Sequence, residues 1–130
     1  MKVVKFGGSS LASATQLAKV LQIIKEDSER RFVIVSAPGK RNAQDTKVTD
    51  ALIKYYRDHV AGNDVTKHQQ WIIQRYQDMA IELELKPNIL ERISKSIQKL
   101  ASLPIENNKF LYDTFLAAGE NNNAKLIAAY

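Results

Sequence analysis

Apolar and polar positions along the chain follow two rhythms, one short and strand-like, one helical. The first apolar run, Val3-Val4 with Lys5 and Phe6, stops at Gly7-Gly8. Its β-branched and aromatic content, ended by two glycines, predicts a strand. From Ser10 onward Leu11, Ala14, Leu17, Ala18, Leu21 and Ile24 recur at helical spacing. One face of a helix is then apolar, and Ser9 or Ser10 is placed to cap it. The charged run from Lys25 to Arg31 ends that helix, and Phe32-Val33-Ile34-Val35 follows without a polar break. Such a run predicts a strand buried on both faces of a parallel sheet. Strand, helix and strand make a βαβ unit, expected to be right-handed.

The polar stretch from Ser36 to Asp45 leaves the carboxyl end of the second strand. Asp45 or Thr46 is placed to cap a helix from Lys47 to Val60, with Val48, Leu52, Tyr55 and Tyr56 inward. Ala61-Gly62-Asn63-Asp64 breaks the pattern. Val65 to Leu103 is helical, with one stripe at Ile72, Ile73, Tyr76, Met79, Ala80 and Leu83. A second stripe runs through Ile89, Leu90, Ile93, Ile97 and Leu100, and Pro87 suits a first helical turn. Trp71, Tyr76 and Met79 fit core packing better than a cofactor box. His59 and His68 lack any partner at metal-ligand spacing and are expected to be solvated helix residues. Lys86, Glu91, Arg92, Lys95 and Lys99 form a solvated face.

After Pro104 the helical period resumes at Phe110, Leu111, Thr114 and Phe115. Gly119-Glu120 interrupts it, and Ala124, Leu126, Ile127, Ala128 and Tyr130 continue it. By spacing alone this glycine is a kink or a cap. The apolar period is still running at Tyr130, with no glycine cap or polar tail. Two strands are also few for a helix-covered sheet, where about four to six are usual. Residues 1–130 are therefore expected to be the N-terminal piece of a larger domain.

Composition narrows the class. The 130 residues, 45% apolar and 25% charged, suit one globular domain or part of one. Nineteen Lys plus Arg against fourteen Asp plus Glu give a net charge of +5, which favours an anionic small molecule. The charges are spread through helices without a basic block or interleaved aromatics, so no nucleic-acid partner is expected. There is no cysteine, which excludes disulfides and thiolate metal sites. No apolar run approaches the ~20 residues of a membrane span, and the N-terminus lacks a signal peptide's apolar region. A cytoplasmic protein without a membrane partner is the expectation.

The chemistry centres on Lys5-Phe6-Gly7-Gly8-Ser9-Ser10, where strand, glycine turn and helix start follow one another. Adjacent glycines let the backbone come close to a ligand, and the free N–H groups of a following helix face an anion placed over the turn. Lys5 adds a mobile positive charge. Ligands in open α/β sheets sit outside the carboxyl ends of the strands, so the turn after Phe6 and the loop after Val35 should share one crevice, with Thr49 close by. The turn matches neither the P-loop nor the dinucleotide fingerprint.

Taken together, Lys5 to Ser10, Val33-Ile34-Val35-Ser36-Ala37-Pro38-Gly39-Lys40, Lys47-Val48-Thr49-Asp50 and Gly119-Glu120 resemble the amino-acid kinase family, and within it the aspartokinases. The resemblance covers the whole chain but only the first part of such an enzyme. It implies an α/β, three-layer αβα fold with parallel strands and a large helical segment. It also implies ATP- and Mg²⁺-dependent phosphorylation of the aspartate side-chain carboxylate, at the head of lysine, threonine and methionine biosynthesis. By the resemblance Lys5 contacts the transferred phosphate as the catalytic residue. Lys5, Phe6, Gly7, Gly8 and Ser9 bind the ATP phosphates. Ser36 and Ala37 line the aspartate pocket, while Thr49 and Glu120 bind aspartate, Glu120 at its α-ammonium group. Asn121 departs from the arginine that many aspartokinases carry there, and the Pro38 to Thr46 loop is that of a subset. No residue of this chain is expected to hold metal. The nucleotide lobe and regulatory ACT domains lie outside the match, so the 130-residue piece alone is expected to be inactive and the complete enzyme a homo-oligomer. The alternatives are a kinase for glutamate, acetylglutamate or carbamate, and a non-catalytic anion-binding module.

Overall fold

The computed structural model describes residues 1–105 and 108–130. Two strands, β1 (Lys2–Phe6) and β2 (Arg30–Val35), pair in parallel, with Val4 opposite Val33 and Phe6 opposite Val35. The connection between them carries α1 (Ala14–Lys25), as a βαβ unit requires. Strand side chains alternate between faces. Val4, Phe6, Val33 and Val35 are half-buried, and Phe6 and Val35 pack against the core. Val3, Phe32 and Ile34 point the other way and remain 63%, 55% and 54% exposed. The double burial expected of Phe32 to Val35 is thus absent here, because no described element packs on that face. Of a three-layer arrangement the chain supplies the sheet and one helical layer.

That layer is built from α2 (Val48–Val60), α3 (Thr66–Glu82), α4 (Pro87–Lys99) and α5 (Asn108–Ala129). Helix α5 is the post, packed on α2, α3, α4 and β2. Leu52, Tyr55, Ile72, Tyr76, Ile93, Ile97, Phe115 and Leu126 are fully buried around it. Each such side chain contributes roughly 1.5–3 kcal/mol on leaving water. The Tyr55 ring meets Phe115 edge-on at 4.9 Å, and its hydroxyl donates to the Ile97 carbonyl at 2.9 Å. The two apolar stripes predicted between Val65 and Leu103 both face this core, and the charges from Lys86 to Lys99 face solvent.

Several local expectations are corrected. A 3-10 turn (Gly8–Leu11) follows the glycines, and α1 starts only at Ala14. Its cap is Ser13, whose hydroxyl accepts the Gln16 N–H at 3.4 Å, in place of Ser9 or Ser10. Helix α2 has Lys47 at its N-cap without a side-chain bond, because the Asp45 carboxylate is already occupied by Arg41 and the Thr46 N–H. Helix α5 runs unbroken through Gly119-Glu120. The histidines are partnered: His59 stacks on Phe115 and lies 3.2 Å from the Leu103 carbonyl, and His68 bonds Asp58 at 2.5 Å.

Candidate active site

The site forms where the chain leaves the two strands. The Ser36 N–H donates to the Phe6 carbonyl at 3.3 Å, extending the parallel ladder by one bond. The two segments then cross, with the Gly39 N–H donating to the Gly8 carbonyl at 2.8 Å. This crossing explains two of the glycines. A Cβ on Gly39 would lie 2.6 Å from the Gly8 carbonyl carbon and 2.8 Å from the Ser9 nitrogen, and one on Gly8 would lie 3.0 Å from the Ala37 oxygen. Beyond the crossing, the Val48 N–H donates to the Pro38 carbonyl at 3.1 Å and ties the second loop to the first turn of α2.

Helix α5 closes one side. Gly119 meets Ala37 and Leu52 so closely that a Cβ there would be 2.9 Å from the Ala37 methyl. The glycine read as a helix break is therefore a notch for the loop. The Tyr76 hydroxyl donates to the Gly119 carbonyl at 2.7 Å, and burial pushes the pKa of that phenol up, which keeps it a neutral donor. One turn further on, the Asn123 amide donates to the Ser36 carbonyl at 2.7 Å. Backbone and side chain thus pin the loop at its start.

These elements enclose an open cleft of about 560 Å³. Gly8 and Ser9 line it from the first turn, Ser36 to Lys40 from the second loop, Lys47 and Thr49 from the entry of α2, and Glu120 from α5. Gly8, Ser9, Ser36, Ala37, Thr49 and Glu120 are thereby brought together, as expected. Lys5, Phe6 and Gly7 do not line the cleft. Lys5 stands opposite Ile34 on the open face of the sheet, Phe6 packs into the core, and Gly7 caps the 3-10 turn, its carbonyl accepting the Ser10 N–H at 3.1 Å. Lys40 and Lys47 contribute two ammonium groups that the sequence had placed in motifs but not in the site. A cleft lined by one carboxylate residue and two lysines suits a ligand carrying both an amine and several negative charges.

One residue escaped notice altogether. Arg75 of α3 is 2% exposed, and its guanidinium reaches both loops. One terminal nitrogen donates to the Ala12 carbonyl at 2.9 Å and the Gly39 carbonyl at 3.1 Å. The other donates to Asp45 and to the Thr46 carbonyl, each at 3.3 Å. Its position was a signal: it falls between Ile72 and Met79 on the buried side of the helix, where a charge needs partners. The Asp45 carboxyl is held well below the usual carboxylate range, first by its bond to Arg41 and then by the Arg41 and Thr46 N–H groups and the charge of Arg75, against the effect of burial. It is the anionic centre of the loop's anchorage.

Crossed glycine loops at the carboxyl ends of parallel strands, in a cleft lined also by Glu120, Lys40 and Lys47, stand where open α/β sheets hold small-molecule ligands. The sequence model of the amino acid kinase family matches residues 1–130, and the chain belongs to that family. Aspartokinase 3 of Bacillus subtilis (strain 168) is 47% identical over 130 residues, which are 100% of this chain and 29% of that protein. The aspartate kinase of Clostridium acetobutylicum superposes with a TM-score of 0.81 at 34% identity, over 98% of this chain and 28% of that one. E. coli aspartokinase III, solved in complex with aspartate and ADP, superposes with a TM-score of 0.72 over 98% of this chain and 28% of its own. At 21% identity that second likeness speaks for the fold alone. The mixed α/β arrangement with parallel strands is that of the aspartate kinases. The chain spans less than a third of the length of these relatives. Among the described residues, no helix is long and apolar enough to cross a membrane.

Proposed function

We propose that this chain is the N-terminal part of the catalytic domain of an aspartokinase, which transfers the γ-phosphoryl group of ATP to the side-chain carboxylate of aspartate. A carboxylate oxygen attacks the γ-phosphorus, the bond to the β–γ bridging oxygen breaks, and the products are ADP and 4-phospho-aspartate. The observation that carries this is the convergence of Gly8, Ser9, the Ser36 loop, Thr49 and Glu120 on one cleft. Identity of 47% to an aspartokinase over the full chain supports aspartate as the substrate.

The roles follow from charge. Phosphoryl transfer spreads negative charge over the phosphate oxygens, so positioning and positive electrostatics do most of the catalysis. Lys5 and the backbone of Gly7, Gly8 and Ser9 would meet the nucleotide phosphates. Ser36, Ala37 and Thr49 would hold aspartate, with its α-ammonium group on Glu120, and Lys40 and Lys47 would offset its carboxylates. Among the described residues no group of three or more His, Asp or Glu could hold a metal ion. Mg²⁺ is commonly bound by few protein carboxylates together with substrate phosphates, so it would arrive with ATP. The remaining nucleotide contacts and regulatory domains would belong to the rest of a cytoplasmic, homo-oligomeric enzyme at the start of lysine, threonine and methionine synthesis.

A substrate panel on the full-length enzyme tests the proposal. Aspartate should be phosphorylated with a kcat/KM at least about 100-fold above that of glutamate, acetylglutamate or carbamate, a discrimination within reach of a site built around hydrogen bonds to its substrate. A preference for glutamate would sink the aspartate assignment.

A further inference from the structure

We propose that Arg75 is a positioning residue for the reaction, fixing the distance between the phosphate-side turn and the substrate loop although it touches neither ligand. The proposal rests on the kinase assignment above. Arg75 belongs to α3, which does not line the cleft. A residue needed only for the core would bury apolar area, whereas an arginine that is 2% exposed must have its charge matched. Among the described residues, the hydrogen bonds of its guanidinium go to the glycine-turn segment or to the second loop. Ala12 follows the glycine turn; Gly39, Asp45 and Thr46 belong to the second loop.

The geometry depends on the shape of the guanidinium. Its planar fork places one nitrogen between the Ala12 and Gly39 carbonyls, 2.9 and 3.1 Å away, and so bridges the two segments through a single rigid group. Its Nε is buried without a hydrogen-bond partner, so the group is oriented by the loops and by the Trp71 ring, 5.8 Å from its central carbon. Outside it, Arg41 bonds the same Asp45 carboxylate at 2.7 Å and closes the loop at the surface. The bridge ends on the Gly39 carbonyl, and the N–H of the same residue makes the bond to Gly8 on which the cleft is built. Without it, the 39–46 part of the loop loses three bonds, and part of its ordering falls to the substrate.

Arg75→Lys tests the bridge, because an ammonium keeps the charge but cannot reproduce the fork. In the full-length enzyme the variant should show a KM for aspartate raised about 10-fold or more with kcat changed less than about 3-fold, since binding then includes ordering the loop. In the same variant the Gly39 amide should exchange with solvent at least about 10-fold faster while the Ile97 amide of α4 keeps its wild-type rate. An unchanged KM for aspartate together with unchanged Gly39 exchange overturns the proposal. Should the variant not fold, the wild type decides. Its Gly39 amide must then exchange as slowly as that of Ile97, and exchange about 100-fold faster contradicts a rigid bridge. If the wild type exchanges as expected but does not phosphorylate aspartate, the kinase assignment fails and the structural bridge stands as no more than a loop anchor, which overturns its catalytic role.

Discussion

Gly39→Ala is expected to destabilise the protein by about 1–3 kcal/mol or more and to lower kcat/KM of the full-length enzyme about 100-fold. The added methyl would lie 2.6 Å from the Gly8 carbonyl carbon, 2.7 Å from its oxygen and 2.8 Å from the Ser9 nitrogen. All three are backbone atoms, so no side chain can swing aside. The two loops must separate, and the 2.8 Å bond between the Gly39 N–H and the Gly8 carbonyl is stretched with them. Both walls of the cleft shift together. Gly7→Ala supplies the control for stability: a Cβ there meets nothing within 4 Å, and its φ of −81° is open to any residue. That change should stay within about 0.5 kcal/mol of wild type. Urea unfolding of both variants checks the pair, and wild-type stability for Gly39→Ala would contradict the crossing.

Lys5→Ala should cost the full-length enzyme about 100-fold or more in kcat, the usual loss when one preorganised donor to a transition-state oxyanion is removed. Lys5 is exposed on β1, opposite Ile34, so its removal should leave the fold and its unfolding midpoint unchanged. Lys5 does not line the cleft shared by Ser36, Thr49 and Glu120. The KM for aspartate should therefore move less than about 3-fold, because an interaction made only in the transition state acts on kcat. Unchanged phosphoryl transfer in this variant would remove Lys5 from the catalytic machinery.

The elements were legible in the sequence because the helices carry a clear apolar period and the strands short β-branched or unbroken apolar runs. Val3 to Phe6 and Phe32 to Val35 are strands, and the stripes at Ile72 to Leu83 and Ile89 to Leu100 mark helices that face the core. The cleft was legible too, as Gly8, Ser9, Ser36, Ala37, Thr49 and Glu120 converge. What escaped depends on partners distant in sequence. Leu11 is buried whether it sits in a 3-10 turn or in the α-helix, so the apolar stripe could not distinguish a cap at Ser10 from one at Ser13. Gly119 looked like a break because spacing does not report that Ala37 and Leu52 press on it. The run Phe32 to Val35 carries the pattern of double burial, yet no described element covers Phe32 and Ile34. Arg75 was hidden inside an apolar stripe, and its four acceptors lie 29 to 63 residues away in sequence.

The central claim is that the cleft formed by the crossed glycine loops and α5 holds aspartate, with Glu120 receiving its α-ammonium group. Glu120→Gln in the full-length enzyme tests it most directly, since shape is kept and only the charge is removed. A hydrogen bond to a charged partner contributes about 1.5–3 kcal/mol, which corresponds to a roughly 10- to 100-fold rise in the KM for aspartate. The KM for ATP should stay within about 3-fold, because a carboxylate has no favourable contact to offer a phosphate. An unchanged KM for aspartate, or a rise confined to ATP, would contradict the account.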